Sequence, residues 1–329
     1  MRSDQAEKRL LPKISVIVPI YNGEADLPGL LDCLRAQTYP SDLVSYCLVD
    51  NGSHDRTSEI LKSASQNAQN FVALSESQIQ SSYAARNVGI RSATGEILVF
   101  TDADCRPEPN WLEDLIQPFE DITVGLVAGE VKALLGNTLL EQHADRQETL
   151  SQKHTLAHPF CAYGQTANLA VRYQVFEQVG LFRPYLTTGG DADFCWRALR
   201  QTPWQMRFAE TAIVQHRHRS TLAELRSQWR RYGRSNRYLH ELHGVDLMRD
   251  FSLRDYSYRL TRWLFKELPI ATIRGLQQKA TLADLFCTPI GLVCAHARAS
   301  GQRHAHLPDR ARQIEWFHEP KDSTTQVHS

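Results

Sequence analysis

Two aspartates directly follow an apolar run in the segment Leu98-Val-Phe-Thr-Asp-Ala-Asp104. A short apolar run of this kind predicts a buried β-strand, and α/β proteins bind ligands at the carboxyl ends of parallel strands. Carboxylate oxygens at such a strand end suit Mg²⁺ or Mn²⁺ carrying a diphosphate. Asp102 and Asp104 are therefore candidate metal ligands. The alternative is that they are turn or cap residues before Pro107.

Two earlier strand ends carry residues that suit a nucleoside. Asp50 follows the predicted strand 44–49, where a carboxylate can accept a hydrogen bond from the imide of uracil or from a ribose hydroxyl. The segment Val18-Pro-Ile-Tyr-Asn-Gly-Glu24 ends the first predicted strand, and Pro19 and Tyr21 within it can lie against a base. An ordinary strand-to-helix turn would also explain the proline and the glycine of this segment.

Acidic residues also open a predicted helix in the segment Gly189-Gly-Asp-Ala-Asp193, which is followed by Arg197. Asp193 and Arg197 are spaced i, i+4 and can form an ion pair on one helical face. That pair would leave Asp191 free to face a cleft as a general base, although helix capping alone would also explain it. His216 is a candidate third metal ligand, with a purely structural histidine as the alternative.

The elements that would position these residues alternate between strands and helices. Strands are predicted at 14–20, 44–49, 71–74 and 97–101, and one intervening helix places leucines at 27, 30, 31 and 34 on one face. This alternation predicts an α/β fold with a mostly parallel central sheet flanked by helices. The second half predicts strands at 124–131, 167–171 and 212–216 and helices at 173–179, 191–199 and from 221 onward.

The domain organisation follows from changes in composition along the 329 residues. We expect a polar N-terminal tail at 1–12, a catalytic domain at 13–220 and a helical C-terminal extension at 221–299. The polar, histidine-rich residues 300–329 are expected to be disordered.

Composition excludes several classes of protein. The chain has 37 basic and 37 acidic residues, which argues against a nucleic-acid partner. Seven scattered cysteines without a CxxC pair predict reduced thiols and a cytoplasmic location. No secretory signal is expected in the polar N-terminal residues, and no apolar run approaches the roughly 20 residues of a membrane-spanning helix.

Taken together, these motifs resemble a family 2 glycosyltransferase of the GT-A fold, over about residues 14–232. The resemblance rests on an ordered series: Val18-Pro-Ile-Tyr-Asn-Gly-Glu24, Val49-Asp-Asn-Gly-Ser-His-Asp-Arg-Thr57, Ala85-Arg-Asn-Val-Gly89, Thr101-Asp-Ala-Asp104, Gly190-Asp-Ala-Asp-Phe-Cys-Trp-Arg197 and the strand residue His216. Many relatives have Glu-Asp where this chain has Gly190-Asp191. Gln228-Trp-Arg-Arg-Tyr232 is similar to the Gln-x-x-Arg-Trp motif of processive polysaccharide synthases, but it ends in tyrosine, and we do not expect processive synthesis.

The resemblance implies a role for each candidate residue. Pro19, Tyr21, Glu24 and Asp50 would hold the nucleoside, Arg86 would lie beside the donor, and Asp102 would contact the sugar nucleotide. Asp104 would bind the metal, Mn²⁺ or Mg²⁺, with Asp102 and His216 as further ligands. Asp191 would be the catalytic base.

The function expected from the resemblance is inverting transfer of a sugar from a nucleoside diphosphate sugar to an acceptor hydroxyl. Asp50 favours a UDP-sugar over a GDP-sugar, and the acceptor would be a carbohydrate or a lipid-linked molecule in cell-surface polysaccharide or glycolipid synthesis. A nucleotidyltransferase and a non-catalytic sugar-nucleotide-binding protein are the alternatives. The first normally has a basic phosphate loop, which residues 18–24 lack, and the second would be expected to lack the base.

A basic helix and amphipathic segments follow the predicted catalytic domain. The helix that begins after Thr221 contains five arginines, at positions 226, 230, 231, 234 and 237. Arginines are suited to phosphate, either that of the donor or that of a lipid headgroup. The later aromatic segments either lie on the cytoplasmic face of a membrane or pack on the catalytic domain.

Overall fold

The computed structural model describes residues 11–134, 136–277 and 281–317. Its eight strands form one mixed sheet in the order β3-β2-β1-β4-β7-β6-β8-β5. The pairs β1–β2, β1–β4, β2–β3 and β6–β8 are parallel, and the other three are antiparallel. The strands are β1 Ile14–Ile20, β2 Val44–Asp50, β3 Phe71–Ser75, β4 Ile97–Phe100, β5 Cys105–Pro107, β6 Val124–Leu134, β7 Leu169–Arg172 and β8 Gln205–Arg217.

Thirteen α-helices are found in the described residues. They are α1 Leu27–Arg35, α2 Thr57–Asn67, α3 Ser82–Ser92, α4 Trp111–Ile116, α5 Leu139–Arg146, α6 Gln152–Leu156, α7 Tyr173–Val179, α8 Gly190–Gln201, α9 Leu222–His243, α10 Leu253–Arg262, α11 Leu268–Leu276, α12 Leu282–Leu285 and α13 Cys287–His304. A π-helical turn, Trp263–Glu267, joins α10 to α11.

The central strands are apolar because helices cover both faces of the sheet. All seven residues of β1 are buried, as expected for a strand in the middle of a parallel sheet. One apolar layer includes the four buried leucines of α1, and the other packs α3, α7 and α8 against the opposite face. The predicted α/β fold with a flanked central sheet is confirmed.

The parallel strands bring the predicted site residues to one edge of the sheet. In the β1–β2 register Ile20 is opposite Asp50, so the segment after β1 lies beside the end of β2. β4 lies on the other side of β1, with Ile17 opposite Phe100, and Asp102 follows two residues later. Residues far apart in sequence therefore meet at the carboxyl ends of three adjacent strands.

The C-terminal helices pack on the sheet domain through α9 and α13. A Cβ atom at Gly233 of α9 would overlap the carbonyl oxygen of Arg298 in α13, and one at Gly301 would overlap the carbonyl oxygen of Arg230. Glycine at both positions therefore lets the two backbones approach closely. Leu225, Ile290 and Cys294 form an apolar cluster at this contact.

Helices α10 and α11 and the π-helical turn between them are exposed. Among the residues that the structure describes, none in α10, the π-helical turn or α11 is buried. Apolar side chains such as Phe265 and Leu276 are 75% and 83% exposed. No helix in the described parts of the chain combines the length and the hydropathy needed to cross a bilayer.

One sequence-based expectation was incomplete, and another was wrong for part of its range. The strand predicted at 212–216 belongs to the much longer β8, which begins at Gln205. The expectation that residues 300–329 are disordered fails for 300–317, because α13 continues to His304 and Leu307 is buried in the apolar layer beside α8. Glu315 then accepts a hydrogen bond from Asn87 at 2.6 Å and forms an ion pair with Arg91. Residues 1–10 and 318–329 of the two predicted tails lie outside the described residues.

Candidate active site

A cavity of about 360 Å³ opens at the carboxyl edge of the sheet, between the strand ends and helices α8 and α9. Four of the predicted site residues line it: Arg86, Asp102, Asp191 and His216. Asp104 contacts His216 at the edge of the cavity. Residues that converge on this cavity come from α3, from the loop after β4, from α8 and from β8, so the fold assembles the site from distant parts of the chain.

Arg86 and Asp102 form an ion pair in one corner of the cavity. An Arg86 Nη atom donates to an Asp102 carboxylate oxygen at 2.6 Å. The Arg86 side chain is buried, its Nε has no hydrogen-bond partner, and its guanidinium lies 5.4 Å from the centre of the Tyr83 ring. A buried guanidinium with a free donor favours a negatively charged ligand, because an unmet buried donor costs free energy.

Asp104 and His216 form a second polar pair, held by the pairing of β5 with β8. The His216 Nε2 atom lies 3.3 Å from an Asp104 oxygen, and Nδ1 lies 2.8 Å from the carbonyl oxygen of Arg217. With Nδ1 donating to this carbonyl, Nε2 is the nitrogen that could bind a metal, once it has lost the proton that it shares with Asp104. Burial raises the pKa of Asp104, but the hydrogen bond and charge of His216 outweigh it and lower the pKa to about 2.

The donor atoms of this pair fit Mn²⁺ or Mg²⁺. One ligand atom each from Asp104, Cys105 and His216 lies within 4.8 Å of the others. Burial raises the pKa of the Cys105 thiol well above its usual range, and a thiolate is a soft ligand that suits Mn²⁺ and Mg²⁺ less well than carboxylate oxygens do. The remaining carboxylate oxygen and imidazole nitrogen are ligands that Mn²⁺ accepts in proteins.

Asp191 lies in the first turn of α8 and faces the same cavity. Thr166 Oγ1 donates to an Asp191 carboxylate oxygen at 2.9 Å. Burial raises the pKa of Asp191; nearby Arg86 lowers it, and the charge of Asp102 raises it further. The result is a carboxylate with a pKa above its ordinary value in a cavity, which is typical of a general base.

Glycine at position 190 is explained by the packing of the α8 terminus. The Gly190 amide donates to the Tyr83 hydroxyl at 2.9 Å, and a Cβ atom at Gly190 would lie 2.6 Å from that ring. Gly189, with a φ of +79°, precedes it in the left-handed region that favours glycine. The two glycines therefore bring the start of α8 against Tyr83 and set the direction of Asp191.

Asp193 has a structural role two residues after the candidate base. It is fully buried and contacts Arg183 at 3.0 Å, Arg197 at 3.2 Å and His243 at 2.9 Å. Burial opposes ionisation of Asp193, but Arg197 and the other partners outweigh it and hold the pKa well below its usual range. The Asp193–Arg197 pair predicted from the i, i+4 spacing is present, and it fixes the start of α8.

The candidate nucleoside residues lie beside this cavity rather than in it. Pro19 and Tyr21 line an adjoining cavity of about 250 Å³, which shares Ser82 and Thr187 with the first. Tyr21 is about half exposed, at 51%, and leaves a ring face available for stacking. The Asp50 carboxylate accepts a hydrogen bond from the Ser53 amide at 2.9 Å.

Glu24 is separate from both cavities. Its carboxylate accepts a hydrogen bond from Arg56 Nε at 2.7 Å, and it lines a groove between α1 and α2. Arg56 lowers the pKa of Glu24 through this hydrogen bond. The structure thus gives Glu24 a contact that joins the segment before α1 to the start of α2.

Several lining residues escaped the sequence analysis. Thr166, which orients Asp191, and Arg219, two residues after β8, belong to no motif that we identified. Gln228, Arg231 and Tyr232 of α9 also line the cavity. These three are the defined positions of the Gln-x-x-Arg-Tyr segment, so that motif was the available indication that α9 closes the site.

Comparisons with known proteins agree with this architecture. The model of the family described as glycosyl transferase family 2 matches residues 15–185. Glycosyltransferase AglE of Haloferax volcanii is 36% identical over 245 residues, which cover 74% of this chain and 79% of that protein.

Two solved structures have a similar fold. The mannosyltransferase PcManGT from Pyrobaculum calidifontis, in complex with GDP-Man and Mn²⁺, superposes with a TM-score of 0.62 at 19% identity and covers 90% of this chain and 88% of its own. Residues 1–349 of S. aureus TarS in complex with UDP-GlcNAc give a TM-score of 0.51 at 18% identity, covering 88% and 89%. The family model and the Haloferax volcanii relative together show that this chain belongs to glycosyl transferase family 2.

Proposed function

We propose that this glycosyltransferase moves a sugar from a nucleoside diphosphate donor to an acceptor hydroxyl with inversion at the anomeric carbon. The observation that carries the proposal is the composition of one cavity. Asp191, with its raised pKa, lies in the same cavity as Arg86, Asp102 and His216. A base and a set of charged groups suited to a diphosphate are both required for this reaction.

The chemical step uses Asp191 as the base. Its carboxylate accepts the proton of the acceptor hydroxyl while the acceptor oxygen forms a bond to the anomeric carbon. The bond between that carbon and the β-phosphate oxygen breaks, and the nucleoside diphosphate leaves with the bonding electrons. Attack from the face opposite the leaving group inverts the configuration. Arg86, Arg219 and Arg231, which line the cavity, provide cations for the diphosphate.

Metal binding is proposed at Asp104 and His216, with Asp102 as a further ligand. The carboxylate and imidazole donors, held 3.3 Å apart, support this assignment. A bound Mn²⁺ or Mg²⁺ supplies charge neutralisation for the leaving diphosphate. The protein's own contribution is to hold Asp102 against Arg86 and His216 against the Arg217 carbonyl.

The donor is proposed to be a UDP-sugar. Asp50 lies at the end of β2 beside the cavity that Pro19 and Tyr21 line, and its carboxylate can accept a hydrogen bond from the uracil imide. The structural relatives hold either UDP-GlcNAc or GDP-Man. GDP-sugars are therefore the alternative donors that the experiment must distinguish from UDP-sugars.

Donor hydrolysis tests the proposed function. The purified chain is incubated with UDP-sugars and GDP-sugars in the presence of Mn²⁺, and released nucleoside diphosphate and free sugar are measured. We expect slow, Mn²⁺-dependent release of UDP and free sugar. A nucleotidyltransferase would release a sugar phosphate, and a binding protein would release nothing, so either result would contradict the proposal.

We further propose that the exposed helices bind an anionic membrane surface. From α10 to α11 the chain exposes apolar side chains such as Phe265 and Leu276 together with Arg254, Lys266 and Arg274. These three cations have no ion-pair partner within the described residues. Apolar and basic side chains on one exposed segment are typical of helices that lie in the lipid interface.

Vesicle flotation tests this contact. The intact chain should float with phosphatidylglycerol vesicles at low salt and remain behind with phosphatidylcholine vesicles, and Phe265→Asp should weaken flotation. The exposed Ile122, far from this segment in sequence, offers a matched control, because Ile122→Asp should change nothing. Absence of flotation at low salt would refute the proposal.

We propose a cellular setting that is consistent with these features. All seven cysteines are free thiols, which suits the reducing cytoplasm. We place the activity at the cytoplasmic face of the membrane, where it would act in cell-surface polysaccharide or glycolipid synthesis.

A further inference from the structure

A second and larger cavity, of about 730 Å³, lies between helices α5, α9, α10 and α13. Apolar side chains form much of its wall, including Leu225, Trp229 and Leu292. It shares Thr149 and Tyr232 with the cavity that holds Asp191. A volume in the range of small-molecule sites, roughly 300–1,000 Å³, therefore adjoins the candidate active site at these two residues.

The wall of this cavity is basic. Arg249, Arg259 and Arg298 line it, and among the described residues that line it none is acidic. Arg249 pairs with Asp255 at 3.0 Å, and Arg259 lies over the Phe251 ring at 4.4 Å. The cavity thus combines apolar walls with cationic groups, which is the chemistry that an anionic amphiphile needs.

Arg298 is the strongest evidence for an anion. It is 6% exposed, and one Nη atom donates to the Arg249 carbonyl at 3.1 Å. The other Nη atom is buried and has no partner. Within the described parts of the chain no carboxylate lies within ion-pairing distance of Arg298, and Asp250 contacts Arg303 instead. Burial of an unpaired cation costs free energy, so a bound anion would stabilise this arrangement.

We infer that this cavity binds the lipid portion of the acceptor, a molecule in which a phosphate group joins a hydrocarbon chain to the acceptor hydroxyl. The phosphate contacts Arg298, the hydrocarbon packs on Leu225, Trp229 and Leu292, and the hydroxyl reaches Asp191 past Tyr232. This inference rests on the proposed function, because it names the acceptor of that same site. Arg259 belongs both to this cavity and to the exposed helix α10, so a lipid surface at α10 would lie beside the cavity.

Binding of farnesyl phosphate, measured by titration calorimetry in the absence of donor, tests the inference. Gly291 lines the cavity at an exposed position of α13, and a Cβ atom there would meet nothing within 4 Å. Gly291→Phe should therefore fill the cavity without a clash and weaken farnesyl phosphate binding at least tenfold. His296→Phe adds the same ring at an exposed position of the same helix outside the cavity lining, and should bind as the wild type does.

The contribution of the phosphate charge to binding is tested first with the wild-type protein and then with a variant of Arg298. Wild-type protein should bind farnesyl phosphate at least tenfold more tightly than farnesol, and inorganic phosphate should not compete at similar concentrations. Arg298→Gln should reduce the preference for farnesyl phosphate over farnesol. Equal binding of farnesyl phosphate and farnesol, or undiminished binding to Gly291→Phe, would overturn the inference.

Failure of this inference is distinguishable from failure of the proposed function. UDP binding with Mn²⁺ and donor hydrolysis depend on the first cavity and are measured separately. Hydrolysis without farnesyl phosphate binding would refute the lipid site and leave the transferase assignment intact. Farnesyl phosphate binding without hydrolysis of any donor would refute the transferase mechanism and retain the lipid phosphate site.

Discussion

Replacement of Asp191 by asparagine separates catalysis from folding at this site. Asparagine keeps an oxygen that can accept the 2.9 Å hydrogen bond from Thr166, and it removes a carboxylate whose burial already disfavours its charge. The fold should therefore tolerate the change with little shift in Tm. The amide cannot accept the acceptor proton, so turnover should fall while donor binding persists.

The expected loss follows from the role of the base. General-base assistance is worth about 10²–10⁴-fold in rate, which corresponds to roughly 2.7–5.4 kcal/mol of transition-state stabilisation. Because Asp191 lines neither the cavity of Pro19 and Tyr21 nor the Asp104–His216 contact, this loss should appear in kcat. The Kd for UDP with Mn²⁺ should stay within about twofold of wild type. A substitution that weakened binding of the ground state and the transition state equally would instead raise KM.

The pH profile supplies an independent readout. The base must be ionised, and burial raises the pKa of Asp191 above its ordinary value. Activity should therefore fall as the pH decreases through that raised pKa and should level off above it. Asp191→Glu, which retains a carboxylate, should keep an acidic limb in its profile, whereas Asp191→Asn should lose that limb.

Asp193 provides the matched control two residues away. Asp193→Asn leaves Arg197, which is 2% exposed, without its carboxylate partner. Removing one partner of such a buried pair costs about 3–5 kcal/mol, so this variant should show a Tm lowered by several degrees. Near wild-type turnover by folded Asp191→Asn would refute the base assignment, as would a large Tm loss in that variant.

The remaining predictions address other parts of the molecule. Arg86→Met should weaken UDP binding by about 10–100-fold in calorimetry, since a hydrogen bond to a charged group contributes about 1.5–3 kcal/mol; unchanged affinity would remove Arg86 from the donor site. Asp104→Asn should lower Mn²⁺ affinity more than tenfold, and EDTA should abolish donor hydrolysis until Mn²⁺ is restored; an EDTA-resistant enzyme would contradict the metal site. Leu307→Ala should cost about 2–5 kcal/mol in urea unfolding, because Leu307 is buried, at 6% exposure; a neutral result would mean that the C-terminal segment contributes no packing.

The sequence was most informative where local spacing determines geometry. The alternation of strands and helices places Asp50 and Asp102 at strand ends, because consecutive parallel strands end at the same edge. The i, i+4 spacing of Asp193 and Arg197 likewise determines that they can pair on one helical face. These relations need no knowledge of the rest of the fold.

Contacts between distant segments could not be predicted in this way. Glu315 bonds to Asn87 across 228 positions, and the polar composition around it gives no indication of that contact. Thr166 reaches Asp191 from a loop without a motif. One Nη atom of Arg298 has no hydrogen-bond partner because of the way in which the surrounding helices pack. Such features depend on tertiary packing, which a local pattern does not determine.

The nucleoside contact that the resemblance implies for Glu24 stays a prediction. In the structure Glu24 pairs with Arg56 at 2.6 Å and lies outside both cavities at the sheet edge. The motif determines the direction of the chain after β1, but the position of α2 determines which side chain the Glu24 carboxylate contacts.

The configuration of the sugar released from an α-linked UDP-sugar tests the central claim most directly. Proton NMR of the hydrolysis reaction with Mn²⁺, recorded before the free sugar mutarotates, identifies the anomer formed first. Water activated by Asp191 opposite the departing UDP should yield the β-anomer. First appearance of the α-anomer would contradict the arrangement of base and leaving group on which this account depends.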